Sequence, residues 1–149
     1  MIRFLENLEH VNVDATKKAG VPVKRGAFVT VNEETGTFAL ATDLASVSGV
    51  VVRDTVVDDD VAGGYAISEY SESQDTVYKN ELAGVRVQFK GERFATDQFD
   101  TGMSEDEKKA GKYLDVADGK LVASSSATSI VSLGVIDDAG HKLLGYKLV

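Results

Sequence analysis

Residues 24–54 read KRGAFVTVNEETGTFALATDLASVSGVVVRD and residues 109–138 read KAGKYLDVADGKLVASSSATSIVSLGVIDD, so the chain carries one pattern twice. The matched positions are glycines and apolar residues in the same order: Gly26, Phe28, Val29 and Val31 with Gly111, Tyr113, Leu114 and Val116; Gly36 and Phe38 with Gly119 and Leu121; Gly49, Val50 and Val51 with Gly134, Val135 and Ile136. Strand cores repeat while loops drift, as in a duplicated supersecondary unit. Two copies are fewer than a solenoid usually needs, so the pattern predicts two similar β-units.

Strand signals dominate the rest of the chain. Short β-rich runs at 27–31, 37–42 and 49–53 are separated by turns, and residues 84–90 alternate apolar and polar side chains. In that alternation Arg86 falls on the solvent face of a half-buried strand. Residues 133–136 and 142–149 predict a hairpin through Asp137 and Gly140. We therefore expect an all-β fold: a compact antiparallel β-barrel or sandwich built from two similar β-units, with an N-terminal arm and little helix.

The predicted organisation has three parts. Residues 1–23 form an N-terminal arm and linker, residues 24–103 a first β-unit with inserted strands, and residues 104–149 a second, shorter β-unit packed on the first. Ser104 and Glu107 form a capping-box pattern that starts one or two helical turns between the units.

The N-terminal residues combine apolar side chains at helical spacing. Ile2, Leu5 and Leu8, beside Phe4, predict a short amphipathic helix over residues 1–10. So short a helix is marginal alone, and its apolar side needs a surface. That surface is either the chain's own domain or a neighbouring molecule.

Composition excludes several classes of function. The net charge of -8 argues against nucleic-acid binding and against anionic membranes, since both depend on Lys and Arg. The sequence has no apolar run long enough to span a bilayer, and its N-terminus lacks a signal-peptide core. It also has no cysteine, which removes disulfides, thiolate nucleophiles and cysteine-bound zinc.

Polar clusters give no motif for catalysis, a cofactor or a metal. Asp54 and the consecutive Asp58, Asp59 and Asp60 lack the alternation and closing Glu of a calcium loop, so a solvated turn is favoured. His10 and His141 each lack a nucleophile and an orienting partner. We predict no enzyme activity, no cofactor and no metal.

Aromatic residues offer one binding alternative. Tyr65, Tyr70 and Tyr78, with Phe89, form either an aromatic platform for a sugar or ordinary packing on a sheet, and packing is the commoner role.

The run from Lys17 to Asp54 is similar to capsid decoration (cement) proteins, small proteins encoded near the major capsid gene of tailed bacteriophages. The similarity lies in an arm followed by a β-unit with Gly26, an apolar strand at 28–31, a turn at Gly36, a stretch at 38–42 and a Gly-Val strand at 49–52. The second copy keeps this order.

The resemblance implies a structural virion protein that binds the outer surface of the capsid and stabilises contacts between subunits. Its partners would be the major capsid protein and neighbouring copies of itself, and it would be assembled in the host cytoplasm. Ile2, Phe4, Leu5 and Leu8 are the candidate capsid-binding residues. A tail or head–neck component stays open within this class. The alternative is a carbohydrate- or ligand-binding β-module on a phage particle or bacterial assembly, with Tyr65, Tyr70 and Tyr78 as its site.

Overall fold

A computed structural model describes residues 2–6, 13–52 and 76–149. The described residues form short strands joined by turns and one 3-10 helix, Leu44–Ser46. The strands are β1 (Ile2–Glu6), β2 (Val13–Asp14), β3 (Lys18–Ala19), β4 (Val23–Lys24), β5 (Phe28–Asn32), β6 (Thr37–Leu40), β7 (Gly49–Val52), β8 (Thr76–Val77), β9 (Gly84–Arg86), β10 (Arg93–Thr96), β11 (Tyr113–Ala117), β12 (Lys120–Ala123), β13 (Ile130–Asp138) and β14 (His141–Leu148). The predicted all-β class is confirmed.

Two six-stranded sheets contain most of the strands. The N-sheet has the order β3-β6-β5-β7-β9-β2, and the C-sheet has the order β12-β11-β13-β14-β10-β1. A third, two-stranded sheet pairs β4 with β8. Within the described residues the strand orders are open rather than circular, which makes the arrangement layered sheets and not a barrel.

The predicted duplication is present in the hydrogen-bonding pattern. Strands β6-β5-β7-β9 of the N-sheet follow the same order as β12-β11-β13-β14 of the C-sheet. The hairpins match in register, because Val31 pairs with Phe38 as Val116 pairs with Leu121. The flanking glycines match in conformation: φ is 89° at Gly26 and 87° at Gly111, and 65° at Gly36 and 74° at Gly119.

The repeat also includes a strand segment that the sequence comparison missed. β3 runs parallel to β6, and residues 98–100 run parallel to β12 through the bridge Phe99–Leu121. The Gly20 N–H donates to the Phe38 carbonyl at 2.8 Å, and the Asp100 N–H donates to the Leu121 carbonyl at the same distance. The repeated unit therefore begins before its hairpin.

The third set of matched positions, which aligns Gly49 with Gly134, is wrong by four residues. In the structure the position equivalent to Gly49 is Ile130. Val29 pairs with Gly49, whereas Leu114, the equivalent of Val29, pairs with Ile130. Gly134 instead lies at a register shift of β13 with φ of 95°. The match of Gly49 with Gly134 was therefore wrong, because the two glycines meet different backbone requirements.

The strands are shared between the predicted parts of the chain. β10 and residues 98–100 fall within the predicted first unit (24–103), yet both hydrogen bond within the C-sheet. The predicted linker at 11–23 contributes β2 and β3 to the N-sheet and begins β4. The helix predicted for residues 1–10 was wrong where it is described, because residues 2–6 form β1 and pair with β10.

The main core lies between the two sheets. It contains Phe28 and Val50 from the N-sheet with Leu114, Ile130 and Tyr146 from the C-sheet. The other face of the N-sheet has its own cluster, in which Val29 and Phe38 pack with Val23 of β4 and Val77 of β8. The N-sheet is therefore covered on both faces, and β4 with β8 acts as a cap over one of them.

Candidate functional site

The N-terminal strand lies at one edge of the C-sheet. β1 hydrogen bonds to β10, and no other described strand pairs with it. Edge strands carry unpaired backbone N–H and C=O groups and can accept a strand from another chain. The edge of β1 is therefore the feature of this region most suited to a partner.

The four N-terminal candidate residues have different outcomes. Ile2 is only 7% exposed and packs in the core between the sheets, so its side chain is held by its own chain rather than offered to a partner. Phe4 pairs with Phe94 of β10, and Leu5 lies at the register shift within β1. Leu8 lies outside the described residues.

Of the three candidate tyrosines, Tyr78 is the one that the structure describes. Its side chain is 53% exposed, and the side chain of Leu82, four residues later, is 54% exposed. The Glu81 carboxylate accepts a hydrogen bond from the Tyr78 N–H at 2.8 Å, and Leu82 forms a bridge to Lys18. Tyr65 and Tyr70 lie outside the described residues. Tyr78 belongs to the cap side of the N-sheet, whereas Ile2 lies in the core on its other side.

A buried ion pair joins the two sheets where the chain passes from β9 to β10. Arg86 Nη2 lies 2.6 Å from Glu92 Oε1, and the two side chains are 3% and 0% exposed. Glu92 Oε2 also accepts the Phe89 N–H at 2.9 Å, and the Arg86 guanidinium lies 5.1 Å from the centroid of the Phe94 ring. The predicted solvent-facing position of Arg86 was wrong, because both faces of β9 are covered.

A second polar contact lies beside this pair. Gln88 Nε2 donates to the hydroxyl of Tyr146, which stacks on Phe94 with ring centroids 5.5 Å apart. Burial raises the pKa of Tyr146 well above its usual range, so its hydroxyl stays protonated. With both the ion pair and the tyrosine shut away from solvent, this cluster holds the sheets together and offers no reactive group.

A surface groove of about 410 Å³ opens beside β11. It is lined by Asp106, Glu107, Lys112, Tyr113, Ala123, Ser124 and Ser125. Tyr113 is 41% exposed although the sequence comparison treats it as a strand-core residue. Two features of the sequence could have indicated this groove. The repeat has Tyr113 where its first copy has Phe28, and three serines follow at 124–126.

The predicted polar clusters produce no further site in the described ranges. Within residues 2–6, 13–52 and 76–149, no group of three or more His, Cys, Asp or Glu is arranged to hold a metal ion. His141 lies exposed at the start of β14, whereas His10 and the aspartates at 54 and 58–60 lie outside the described residues. No helix in the described part of the chain has the length and apolar character to cross a bilayer.

Comparison of the chain with protein-family models, with curated proteins and with solved structures finds no match.

Proposed function

We propose that this protein is a structural component of a tailed-phage particle, a decoration protein that binds the outer surface of the capsid and stabilises contacts between capsid subunits. The proposal begins from the similarity of residues 17–54 to such proteins. Its partners are the major capsid protein and neighbouring copies of the chain, and its place is the virion surface after assembly in the host cytoplasm.

The observation that carries the proposal is the edge position of β1. A capsid strand that pairs with β1 would extend the C-sheet and gain main-chain hydrogen bonds without opening the core. Many copies on one capsid would add avidity to a weak single contact. The net charge of -8 favours an outer surface over one that faces packaged DNA.

The mode of binding differs from an exposed apolar arm. Because Ile2 is buried within its own chain, the backbone of β1 rather than the Ile2 side chain would make the contact. Loss of Ile2 would then weaken the fold as well as the binding, and the two effects must be separated by experiment.

The decisive experiment mixes the purified protein with emptied heads of the phage that encodes it. Co-sedimentation and a higher disruption temperature of the heads are expected. Absence of both overturns the proposal. Tyr78→Ala, which alters an exposed residue far from β1, serves as the matched control and should bind like the wild type.

Amide hydrogen exchange tests the role of β1 in the intact protein. Exchange at residues 2–6 should slow when the protein is on the head, because a new strand would cover the edge of β1 that no described strand pairs with. Unchanged exchange there, with slowing elsewhere, rejects β1 as the contact even if binding is found.

A carbohydrate- or ligand-binding module is the second candidate, and the exposure of Tyr78 is the observation that favours it. In that case alanine at Tyr65, Tyr70 or Tyr78 weakens ligand binding, and amide exchange at residues 2–6 is unchanged when the ligand binds. A decoration protein gives the opposite result.

A further inference from the structure

The groove beside β11 contains an aromatic residue, Tyr113, whose equivalent in the first copy of the repeat is buried. Tyr113 pairs with Val131 as Phe28 pairs with Val50, so the two aromatic rings occupy equivalent positions. Phe28 is fully buried between the sheets, but Tyr113 is 41% exposed. The outer face thus keeps a large flat ring where packing no longer requires one.

The groove has the size and composition of a site for a small polar molecule. Its volume of about 410 Å³ lies within the usual range of ligand sites. Besides Tyr113, the groove is lined by two acidic residues, Asp106 and Glu107, and by Lys112 and Ser125. Hydrogen-bond donors and acceptors are therefore both present next to one apolar ring face.

One wall of the groove is held by the capping box. The Glu107 carboxylate accepts hydrogen bonds from the Ser104 N–H at 2.7 Å and from the Ser104 hydroxyl at 2.8 Å. These bonds hold the pKa of Glu107 below its usual range, so it acts as an acceptor at neutral pH. Lys109 pairs with Asp106 on the same turn.

The serine segment that lines the groove is also fixed by hydrogen bonds within the protein. The Ser124 N–H donates to the Tyr113 carbonyl at 3.0 Å, which ties the serine segment to β11. The Ser124 hydroxyl donates to the Ser126 carbonyl at 2.9 Å. With both of these segments held by hydrogen bonds, a ligand would cost little ordering of the protein.

We propose that this groove binds a neutral saccharide, with the C–H face of a sugar ring on Tyr113 and its hydroxyls bonded to Asp106, Lys112 and Ser125. Sugars present one apolar face and a rim of hydroxyls that both donate and accept, which matches this lining. Because Lys109 pairs with Asp106, the two carboxylates at the groove are balanced by Lys109 and Lys112, and this balance favours a ligand without net charge. The site is distinct from β1 and from Tyr78, so it is independent of the proposed attachment to capsids.

The test is a titration of the ¹⁵N-labelled protein with neutral oligosaccharides, namely maltohexaose, cellohexaose, chitohexaose and mannohexaose, followed by amide chemical shifts. At least one should shift the amides of Lys112, Tyr113 and residues 124–126, with a Kd on the order of 1 mM. Oligogalacturonate, an acidic saccharide, should bind no more tightly than the best neutral one. Shifts that map elsewhere, or no shifts with any neutral oligosaccharide, overturn the proposal.

Three variants identify the stacking contact. Tyr113→Ala should weaken binding roughly tenfold, whereas Tyr113→Phe, which keeps the ring, should change it by less than about threefold. Val21→Ala, at a residue that is 42% exposed and does not line the groove, should leave binding unchanged. Equal affinity in Tyr113→Ala and the wild type rejects the stacking role. Because the titration uses no capsid, its failure is distinguishable from failure of the proposed function.

Discussion

The N-sheet and the C-sheet show how one β-unit is adapted to two environments. A row of paired residues crosses each sheet at the same place: the inner row is Phe28, Val50 and Arg86, and the outer row is Tyr113, Val131 and Lys147. All three inner-row residues are buried, at 0%, 0% and 2% exposure. Tyr113 is exposed, and Val131 and Lys147 are half-buried. Equivalent positions therefore have the same strand register but differ in how deeply their side chains are buried.

The difference follows from how the units stack. Val29 and Phe38 of the N-sheet are equivalent to Leu114 and Leu121 of the C-sheet, and all four are buried. In the C-sheet this face is covered by the N-sheet, whereas in the N-sheet it is covered by β4 and β8. Equivalent faces of the two sheets therefore point in the same direction, and the sheets do not pack face to face through equivalent surfaces. One end of the stack is covered by β4 and β8, and the other end carries the outer row.

The largest expected effect compares the two aromatic residues of the rows. Phe28→Ala should lower the free energy of unfolding by about 3–5 kcal/mol, because it leaves a cavity between the sheets. Tyr113→Ala should cost about 1 kcal/mol or less, since its ring is partly in water. Urea unfolding followed by circular dichroism measures both. Equal losses of unfolding free energy in the two variants would mean that the Tyr113 side chain is packed as tightly as that of Phe28.

Arg86 and Lys147, the basic residues of the inner and outer rows, give the next contrast. Glu92→Leu should cost about 3 kcal/mol, because it leaves the Arg86 charge buried without its carboxylate. The double variant Arg86→Met with Glu92→Leu should recover much of that loss. Lys147→Met, at the equivalent outer position, should change stability by about 0.5 kcal/mol or less. If the double variant is no more stable than Glu92→Leu, the buried charge is not the cause.

A pair of glycines tests the corrected alignment. A Cβ at Gly49 would lie 2.4 Å from the Arg86 carbonyl oxygen, so Gly49→Ala must push β7 from β9 and should cost about 2–3 kcal/mol. At Gly134 the nearest atom would be 4.0 Å away, and Gly134→Ala should cost about 1 kcal/mol from its positive φ alone. Thermal unfolding midpoints rank the two variants. A larger loss for Gly134→Ala than for Gly49→Ala would contradict the different surroundings that the structure gives these two glycines.

The smallest effect concerns the capping box beside the groove. Ser104→Ala removes the hydroxyl that donates to Glu107, so the pKa of Glu107 should rise toward its ordinary value. A lowered folded-state pKa stabilises the protein above the unfolded-state pKa and loses that contribution as the pH falls through the folded-state value. Ser104→Ala also removes the acceptor for the Glu107 N–H at every pH, so in acid the variant should lose only the part of its stability difference that depends on the Glu107 carboxylate. Side-chain carboxyl NMR titration measures the pKa, and an unchanged value would contradict the assignment.

Local patterns predicted much of the fold. The turns at Gly36 and Gly119 and the hairpin of β13 and β14 depend on neighbouring residues, and the structure contains all of them. The last hairpin turns at Ala139 and Gly140, with φ of 53° and 91°, as a two-residue turn requires. The capping box at Ser104 is also present.

The failures come from contacts that are distant in sequence. Apolar spacing alone favoured a helix at the N-terminus, but pairing with β10 makes residues 2–6 a strand. Alternation placed Arg86 in water, because the sequence does not show that a second sheet covers that face. Tyr113 was missed as a candidate site residue for the converse reason: its repeat equivalent Phe28 is buried, and nothing local reveals that the Tyr113 side chain is 41% exposed.

The pairing of β1 has a consequence for the order in which the protein can fold. β1 leaves the ribosome before its partner β10, and β10 leaves before β14, which pairs with the other side of β10. The C-sheet is therefore complete only after β14 has been synthesised, and until then Ile2 has no core to enter. Such distant pairings slow folding. During synthesis the N-terminal segment is exposed, and it is then that a chaperone or a second copy has its best opportunity to capture it.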